Sequence, residues 1–294
     1  MKGFLDLAVP AITFFLLFAV GLDLAPADFG RVRRQARVLA VGLIGPLVVL
    51  PPLALLLVAV FRPPLDVQAG VFLVAACPIG GISNTYSYLA GASTALSVTL
   101  TAASSLLAII TVPALTLVFG AALGHPLAGA VPLPLIFAQL LLMLALPVAL
   151  GMRVRFSRPA LAGRSQPYFK AFAFGGVAVL ILLIVASDPA MFVHGLRGTV
   201  PLAATFVAAS FVAGWLIGAA SRASAPDRFT LATEFATRNM AVAAAIGLTL
   251  AGRVEFAVFA TTYFLTEIPM MLSAIAIYRR WQRPPEPDSL TGKG

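Results

Sequence analysis

Residues 77–85 read Cys-Pro-Ile-Gly-Gly-Ile-Ser-Asn-Thr, and they lie within residues 67–152, which contain no charged side chain. A membrane span needs about 20 apolar residues, so this stretch has room for three or more spans. Pro78 removes a helical hydrogen bond, and Gly80-Gly81 weakens the helix further. Irregular backbone survives at membrane depth only where it is buried in protein or lines a cavity. The stretch therefore predicts a polytopic membrane protein with an interrupted helix.

The composition of the whole chain agrees with this prediction. Its 294 residues are 60% hydrophobic and 11% charged, with a mean hydropathy of +0.99. Soluble domains carry about 25% charged residues, which argues strongly against a cytosolic enzyme. The high hydrophobicity and low charge argue equally against intrinsic disorder. The net charge of +9 comes from basic residues that cluster between apolar runs. We therefore expect a lipid bilayer around the chain and no nucleic-acid partner.

Chemistry based on cysteine or histidine has little support. Cys77 is the only cysteine, and there are two histidines. The sequence lacks a paired-His or His-Glu metal motif, a Gly-x-Ser-x-Gly elbow and a phosphate-binding loop. We expect no enzyme activity and no organic cofactor.

Apolar runs broken by proline, glycine or charge predict an all-α protein with about nine transmembrane helices. The expected spans are 4–25, 36–61, 67–90, 94–122, 129–152, 167–187, 198–220, 228–250 and 254–279. With the loop at residues 31–37 inside, fifteen basic residues lie on the cytoplasmic side and four lie outside. This bias predicts an external N-terminus and a cytoplasmic C-terminus. Arginine-rich and alanine-rich composition is typical of GC-rich bacterial genomes and favours a bacterial inner membrane.

Two stretches of the chain resemble each other. Asn84 lies 29 residues before Pro113, and Asn239 lies 30 residues before Pro269. With an odd number of spans between the copies, they would have opposite orientations in the membrane. Inverted repeats are typical of transporters, whose sites form where broken helices meet near the midplane.

Oxygen-bearing side chains occur at mid-span positions around both asparagines. Transporters bind Na⁺ through such oxygens and through unwound backbone. Glu234 and Arg238 are four residues apart and would share the face of an intact helix, and Glu267 is a third charge within a span. A sodium shell is expected from Ser83, Asn84, Ser97, Thr101 and Glu234.

The sequence resembles the bile acid:sodium symporter family in its nine-helix form. The resemblance rests on Cys77-Pro78, Gly80-Gly81, Ser83-Asn84, Tyr88-Leu89-Ala90 and the gapless spacing to Ser97 and Thr101. Val20-Gly21-Leu22-Asp23-Leu24, and Glu234 with Asn239, also match the family pattern. The similarity is strongest over residues 77–113 and weakest after residue 250.

The resemblance implies an inverted-repeat transporter fold with core and panel domains and two broken, crossing helices, near Gly81–Ser83 and Glu234–Asn239. Residues 1–280 would form one unit. Its panel would be roughly 1–30 and 127–190, and its core roughly 36–122 and 198–279. Residues 281–294 would form a disordered cytoplasmic tail.

The resemblance also implies ion sites. The family's first sodium site uses Ser, Asn, Ser, Thr and Glu, and all five match the shell named above. The second site uses two glutamines, which are replaced here by Arg238 and Pro46. The hypothesis is that the Arg238 guanidinium replaces the second sodium ion and donates to Glu234, with Glu267 contributing to the charge balance.

The expected function is secondary active transport of an organic anion, such as a bile-acid-like molecule or a small carboxylate, by alternating access with one sodium ion. Thr85, Arg238 and Asn239 are the expected substrate-side residues. Arg238 could contact an anionic substrate instead of replacing an ion. Alternatives are a proton-coupled or uncoupled carrier, an arsenite-type efflux permease that uses Cys77, and a non-transporting membrane sensor. The oligomeric state is not readable from the sequence.

Overall fold

The computed structural model describes residues 11–22 except 13, 16 and 20, and residues 36–123, 138, 141–187, 189–240, 242–243 and 255–282. The described residues of 11–22 are helical. The bounded helices are α1 Ala36–Phe61, α2 Leu65–Ala76, α3 Ile82–Ala90, α4 Thr94–Leu123, α5 Leu146–Ser157, α6 Pro159–Ser187, α7 Pro189–Ala220, α8 Ala225–Ala236 and α9 Glu255–Gln282. A π-helical turn, Leu141–Ala145, leads into α5. The all-α fold class is thereby confirmed for the described part of the chain.

Four of the described helices are long and apolar enough to cross a membrane: Ala36–Phe61, Thr94–Ala121, Gly198–Ala220 and Phe259–Gln282. Each of them coincides with an expected span or lies within one or two residues of it, apart from Phe259–Gln282, which is displaced by a few residues toward the C-terminus. Their exposed apolar side chains, such as Val48, Ile110 and Leu216, suit a lipid environment. Parts of the first, fifth and eighth expected spans and most of the tail lie outside the described residues.

The expected loop between the spans 129–152 and 167–187 is helical instead. Helix α5 continues to Ser157, and α6 begins at Pro159, so Arg158 alone joins them. Proline is favoured in the first turn of a helix, where its missing N–H has no intrahelical partner to lose. The polar residues between 153 and 166 predict a loop, but these residues continue the two flanking helices instead.

The expected span 67–90 is divided into two helices. Helix α2 ends at Ala76 and α3 begins at Ile82. Cys77 is extended, with φ −65° and ψ 151°, because a residue before proline is driven out of the α region. The break therefore begins four residues earlier than the resemblance implied.

Helix α8 also ends inside an expected span. Its last residue is Ala236, and Thr237 is extended, with φ −96° and ψ 111°. No proline or glycine is present between Thr233 and Asn239, so local sequence does not force this end. Contacts with the first break explain it, as the next section describes.

The helices around both breaks form one packed body. Helix α7 packs against α8, α9 and α1, and α9 also packs against α2 and α3. Gly214 on α7 allows a close approach to α8, because a Cβ there would lie 2.7 Å from the Leu231 carbonyl oxygen. Small residues of this kind let membrane helices approach backbone to backbone. The interrupted segments are thus held at the centre of this packing.

Candidate ion and anion site at the helix crossing

The two helix breaks cross and pair through their backbones. Gly80 N donates to Thr237 O over 3.1 Å, and Asn239 N donates to Pro78 O over 2.8 Å. Ile79 and Arg238 thereby form an isolated antiparallel bridge. Since an unpaired backbone group is costly at membrane depth, each break supplies the partners that the other needs.

Side chains complete the crossing. The Ser104 hydroxyl accepts from Ile79 N over 3.1 Å, and the Tyr263 hydroxyl donates to Ala236 O over 2.5 Å. Asn239 Oδ1 accepts from Val242 N over 3.2 Å, so this residue caps the helical residues that follow. Sequence reasoning missed Ser104 and Tyr263. The spacing of Tyr263 four residues before Glu267, on one helix face, was the available signal.

Five oxygen-bearing side chains converge beside the crossing, and all are buried. They come from three helices: Ser83 and Asn84 from α3, Ser97 and Thr101 from α4, and Glu234 from α8. We call this group the hydroxyl shell. Ser97 and Thr101 are four residues apart and lie on one face of α4, while Glu234 lies in the last turn of α8. The structure thus brings together all five residues expected for the sodium site.

Hydrogen bonds join the members of the hydroxyl shell. Ser83 Oγ donates to Glu234 Oε2 over 3.1 Å, and Ser97 Oγ contacts Glu234 Oε1. Asn84 Oδ1 lies 2.8 Å from Ser97 Oγ and 3.3 Å from Thr101 Oγ1. The oxygen-only donors and the single carboxylate fit a hard monovalent cation, since such ions prefer oxygen ligands. No cluster of three or more His, Cys, Asp or Glu side chains occurs among the described residues, so nothing there fits a transition metal.

Arg238 is buried next to the hydroxyl shell and does not bond to it. Its Nη2 donates to Cys77 O, while Nε and Nη1 have no hydrogen-bond partner in the described structure. The expected hydrogen bond from Arg238 to Glu234 is therefore wrong for this conformation. Because α8 ends at Ala236, the two residues do not share a helix face, and the break directs Arg238 toward the first broken helix.

Arg238 and Pro46 line the same small cavity, together with Cys77, Pro78 and Ser104. Its volume is about 10 Å³, which is room for about one water molecule. The two positions at which the sequence departs from the family's second sodium site are thus neighbours in space.

The remaining expected substrate-side residues differ in exposure. Thr85 is exposed on α3, whereas Asn239 is buried at the crossing. The Nδ2 atoms of Asn84 and Asn239 have no hydrogen-bond partner among the described residues. Together with Nε and Nη1 of Arg238, the crossing holds four buried nitrogen donors without an acceptor.

Glu267 lies on α9, two residues before Pro269, and is fully buried. Neither of its carboxylate oxygens makes a hydrogen bond in the described structure. It is therefore not bonded to Arg238 in this conformation, and it belongs to a group of side chains separate from the hydroxyl shell.

Comparison with known proteins gives one family match. The model of the Sodium Bile acid symporter family matches residues 10–195, which is more than half of the chain. That range contains Ser83, Asn84, Ser97 and Thr101, whereas Glu234, Arg238 and Glu267 lie beyond it.

Three curated relatives are similar over parts of the chain. An uncharacterized sodium-dependent transporter, YocS of Bacillus subtilis (strain 168), is 37% identical over 37% of this chain and 35% of its own length. The probable sodium/metabolite cotransporter BASS2 of Oryza sativa subsp. japonica is 32% identical over 35% of this chain and 24% of its own length. BASS6 of Arabidopsis thaliana, also a probable sodium/metabolite cotransporter, is 25% identical over 74% of this chain and 54% of its own length. The chain thus spans about half or less of these relatives.

Proposed function

Because the chain belongs to the sodium bile acid symporter family, we propose that it is a secondary active transporter that couples one sodium ion to the movement of an organic anion. The observation that carries this proposal is the hydroxyl shell, a set of five buried oxygen-bearing side chains at the crossing of two broken helices. The relatives in Bacillus subtilis and Oryza sativa, a sodium-dependent transporter and a probable sodium/metabolite cotransporter, support the choice of ion.

Sodium would bind within the hydroxyl shell. Glu234 supplies the negative charge, and Ser83, Ser97, Thr101 and the Asn84 carbonyl oxygen supply neutral oxygens. Binding would turn these hydroxyl oxygens from mutual hydrogen bonding toward the ion. An ion held this way ties α3, α4 and α8 together, because each of the three helices contributes a ligand.

The anion would bind on the nitrogen side of the crossing. The unpartnered atoms of Arg238, Asn84 and Asn239 are donors, and a guanidinium matches the geometry of a carboxylate. Helix α3 begins at Ile82, and Asn239 caps the helical residues after it, so two helix N-termini lie near the crossing. The partial positive charge of helix N-termini favours an anion, which supports a small carboxylate or bile-acid-like substrate. Thr85 is an exposed side chain available along its path.

Asn84 connects the two ligands. Its Oδ1 belongs to the hydroxyl shell, while its Nδ2 remains free to donate. An ion that fixes the amide oxygen also fixes where the amide nitrogen points. Ordering by the first ligand would lower the cost of binding the second, which is a positive coupling between them.

Arg238 would stand in for the second sodium ion. Its charge equals that of the ion, and Pro46 beside it has no side-chain oxygen to offer. We infer one sodium ion per cycle, with alternating access arising from movement of a core around the crossing against a panel. The core would comprise roughly residues 36–122 and 198–279.

Uptake into proteoliposomes tests this function. We expect an inward sodium gradient to drive the uptake of labelled carboxylates, with an initial rate that rises as the first power of sodium concentration. Ser105→Ala is the matched control for Ser97→Ala, because Ser105 is buried on the same helix but donates only to its own backbone, at Thr101 O. Uptake should be lost in Ser97→Ala and retained in Ser105→Ala.

Other outcomes of the same assay identify the alternatives. Uptake driven by a proton gradient without sodium would replace the sodium proposal with a proton-coupled carrier. Loss of activity in Cys77→Ala would favour arsenite-type chemistry, although the Cys77 side chain is packed in the hydrophobic core. Ligand binding without any uptake would indicate a sensor.

A further inference from the structure

A second buried carboxyl lies apart from the hydroxyl shell. Glu267 on α9 is fully buried, and the hydroxyls of Tyr86 on α3 and Thr237 at the crossing lie beside it. The two hydroxyls lie close enough to the Glu267 oxygens to interact with them, but no pair among these atoms meets the distance and angle of a hydrogen bond in the described structure. Three separate elements thus direct polar atoms to one point, and none of these residues is a member of the hydroxyl shell.

The charged and titratable groups that face Glu267 are few. Arg238 approaches from the crossing, Tyr86 from α3, and Tyr263 from α9 itself. Tyr263 is already engaged, since its hydroxyl donates to Ala236 O over 2.5 Å. Helices α2 and α7 also pack against α9, and among the described residues they present no charged group to Glu267.

An ionised carboxylate is poorly accommodated at this point. Burial of a charge without hydrogen bonds is unfavourable, and more so at membrane depth. Arg238 leaves two donor atoms unused, yet neither bonds to Glu267. A protonated carboxyl has one donor and an acceptor, and the hydroxyls of Tyr86 and Thr237 can serve both.

We propose that Glu267 is a proton-binding site, in which the carboxyl carries a proton between the hydroxyls of Tyr86 and Thr237. The proton is a ligand distinct from the sodium ion of the hydroxyl shell. The step is an acid–base reaction: the Glu267 carboxylate takes up a proton from the aqueous phase, forming an O–H bond, and later returns the proton to the aqueous phase, so nothing is oxidised or reduced.

The charge balance, which rests on the proposed function, gives this proton a role in transport. One sodium ion and Arg238 contribute +2, and Glu234 contributes −1. With Glu267 neutral the sum is +1, which a monoanionic substrate brings to zero. With Glu267 ionised the sum is already zero before the substrate arrives. Proton loading at Glu267 therefore favours binding of the anion, and one proton would accompany each anion.

Infrared spectroscopy of the purified full chain tests the proton directly. We expect the carbonyl stretching band of a protonated carboxyl at neutral pH, shifted in D₂O and lost in Glu267→Gln. The control is Glu255→Gln, at the start of the same helix but outside the membrane-spanning part Phe259–Gln282; it should leave the band unchanged. Absence of the band from the wild-type chain, or a band of undiminished intensity in Glu267→Gln relative to the wild type, would overturn the proposal.

Tyr86→Phe keeps the proposal testable if Glu267→Gln does not fold. Removal of a hydroxyl next to a protonated carboxyl changes its hydrogen bonding, so the band should move in frequency. A band at an unchanged frequency in Tyr86→Phe would contradict the assignment to Glu267.

The failure of this inference can be distinguished from the failure of the proposed function. Sodium-driven uptake tests the hydroxyl shell, whereas the infrared band does not depend on transport. Uptake with sodium but without a Glu267 band would remove the proton site alone. A Glu267 band in a chain without sodium-driven uptake would remove the proposed function and leave the proton site.

Discussion

At the scale of single residues, Arg238 has a different hydrogen-bond partner in the structure from the one that sequence spacing predicts. Arg238 lies four residues after Glu234, and this spacing predicts that the two side chains pair on one face of a continuous helix. The helix ends between them, and Arg238 donates to Cys77 O instead. Sequence alone placed both charges within the membrane, but not the break that separates them, because no proline or glycine marks that break.

Arg238 and Pro46 provide a test of the missing second ion. The double variant Pro46→Gln with Arg238→Gln restores both amide side chains that the resemblance assigns to the second sodium site. We expect the initial uptake rate to change from a first-power to a second-power dependence on sodium concentration.

The single variant Arg238→Gln is the control for this restoration. It removes the guanidinium without completing the pair of amides, so its sodium dependence should stay at the first power or activity should fall. A double variant with an unchanged first-power dependence would show that Arg238 does not stand in for an ion.

Gly80 is the residue at which the crossing tolerates no side chain. A Cβ there would lie 2.6 Å from Arg238 O, which is backbone and cannot move aside. We expect Gly80→Ala to lower the free energy of unfolding by about 1–3 kcal/mol, as overpacking does. Thermal melting in detergent measures it, with Gly163→Ala on the exposed side of α6 as the control. Equal melting temperatures for the two variants would be inconsistent with a tight crossing.

At the scale of helices and loops, composition and fold agree well for the long spans. Helix α1 has the bounds expected from its apolar run, and α4 differs from expectation by one residue. The first break was predictable because Pro78 and two glycines cause it locally. The second break depends on hydrogen bonds to residues more than 150 positions earlier in the chain, such as Asn239 N to Pro78 O, and no local pattern encodes such a contact.

A polar clamp joins the loop between α3 and α4 to the start of α8. The Asp227 carboxylate accepts from Ser93 Oγ and, over 2.6 Å, from Ser224 Oγ. Ser93 N donates to Thr230 Oγ1 over 3.0 Å. The clamp thereby holds together two helices, α4 and α8, that contribute to the hydroxyl shell.

Loss of this clamp should destabilise the chain. Asp227→Ala removes a buried carboxylate that accepts from a partly buried hydroxyl at Ser93 and an exposed one at Ser224, and a hydrogen bond to a charged group contributes about 1.5–3 kcal/mol. We expect a lower melting temperature than in Ser273→Ala, in which the exposed hydroxyl removed had bonded only to its own helix, at Pro269 O. If Asp227→Ala and Ser273→Ala have the same melting temperature, the clamp contributes no stability.

At the scale of the whole molecule, the nine spans and their orientation remain predictions. Four described helices are suited to span a membrane, and the basic residues favour a cytoplasmic C-terminus. A fluorescent protein fused after residue 294 should fold and fluoresce in intact bacteria, whereas alkaline phosphatase at the same site should be inactive. The opposite pair of results would reverse the topology.

The shell residues were predictable because the family pattern fixes them one by one, and the fold brings all five together from three helices. The proposed proton site was not predictable from the sequence, because Tyr86, Thr237 and Glu267 come from three elements whose arrangement depends on the crossing. The proposed coupling between ions and substrate would therefore be a property of the assembled helices and not of any one segment.

The central claim is that the hydroxyl shell binds sodium, and thermal melting of the purified chain in NaCl and in KCl tests it most directly. A ligand at ten times its dissociation constant stabilises the folded state by about 1.4 kcal/mol. We expect a higher melting temperature in NaCl than in KCl for the wild type and for Ser105→Ala, and no difference for Ser97→Ala or Glu234→Gln. Equal melting of the wild type in both salts over a wide range of concentrations, or sodium stabilisation that persists in Glu234→Gln, would contradict the claim.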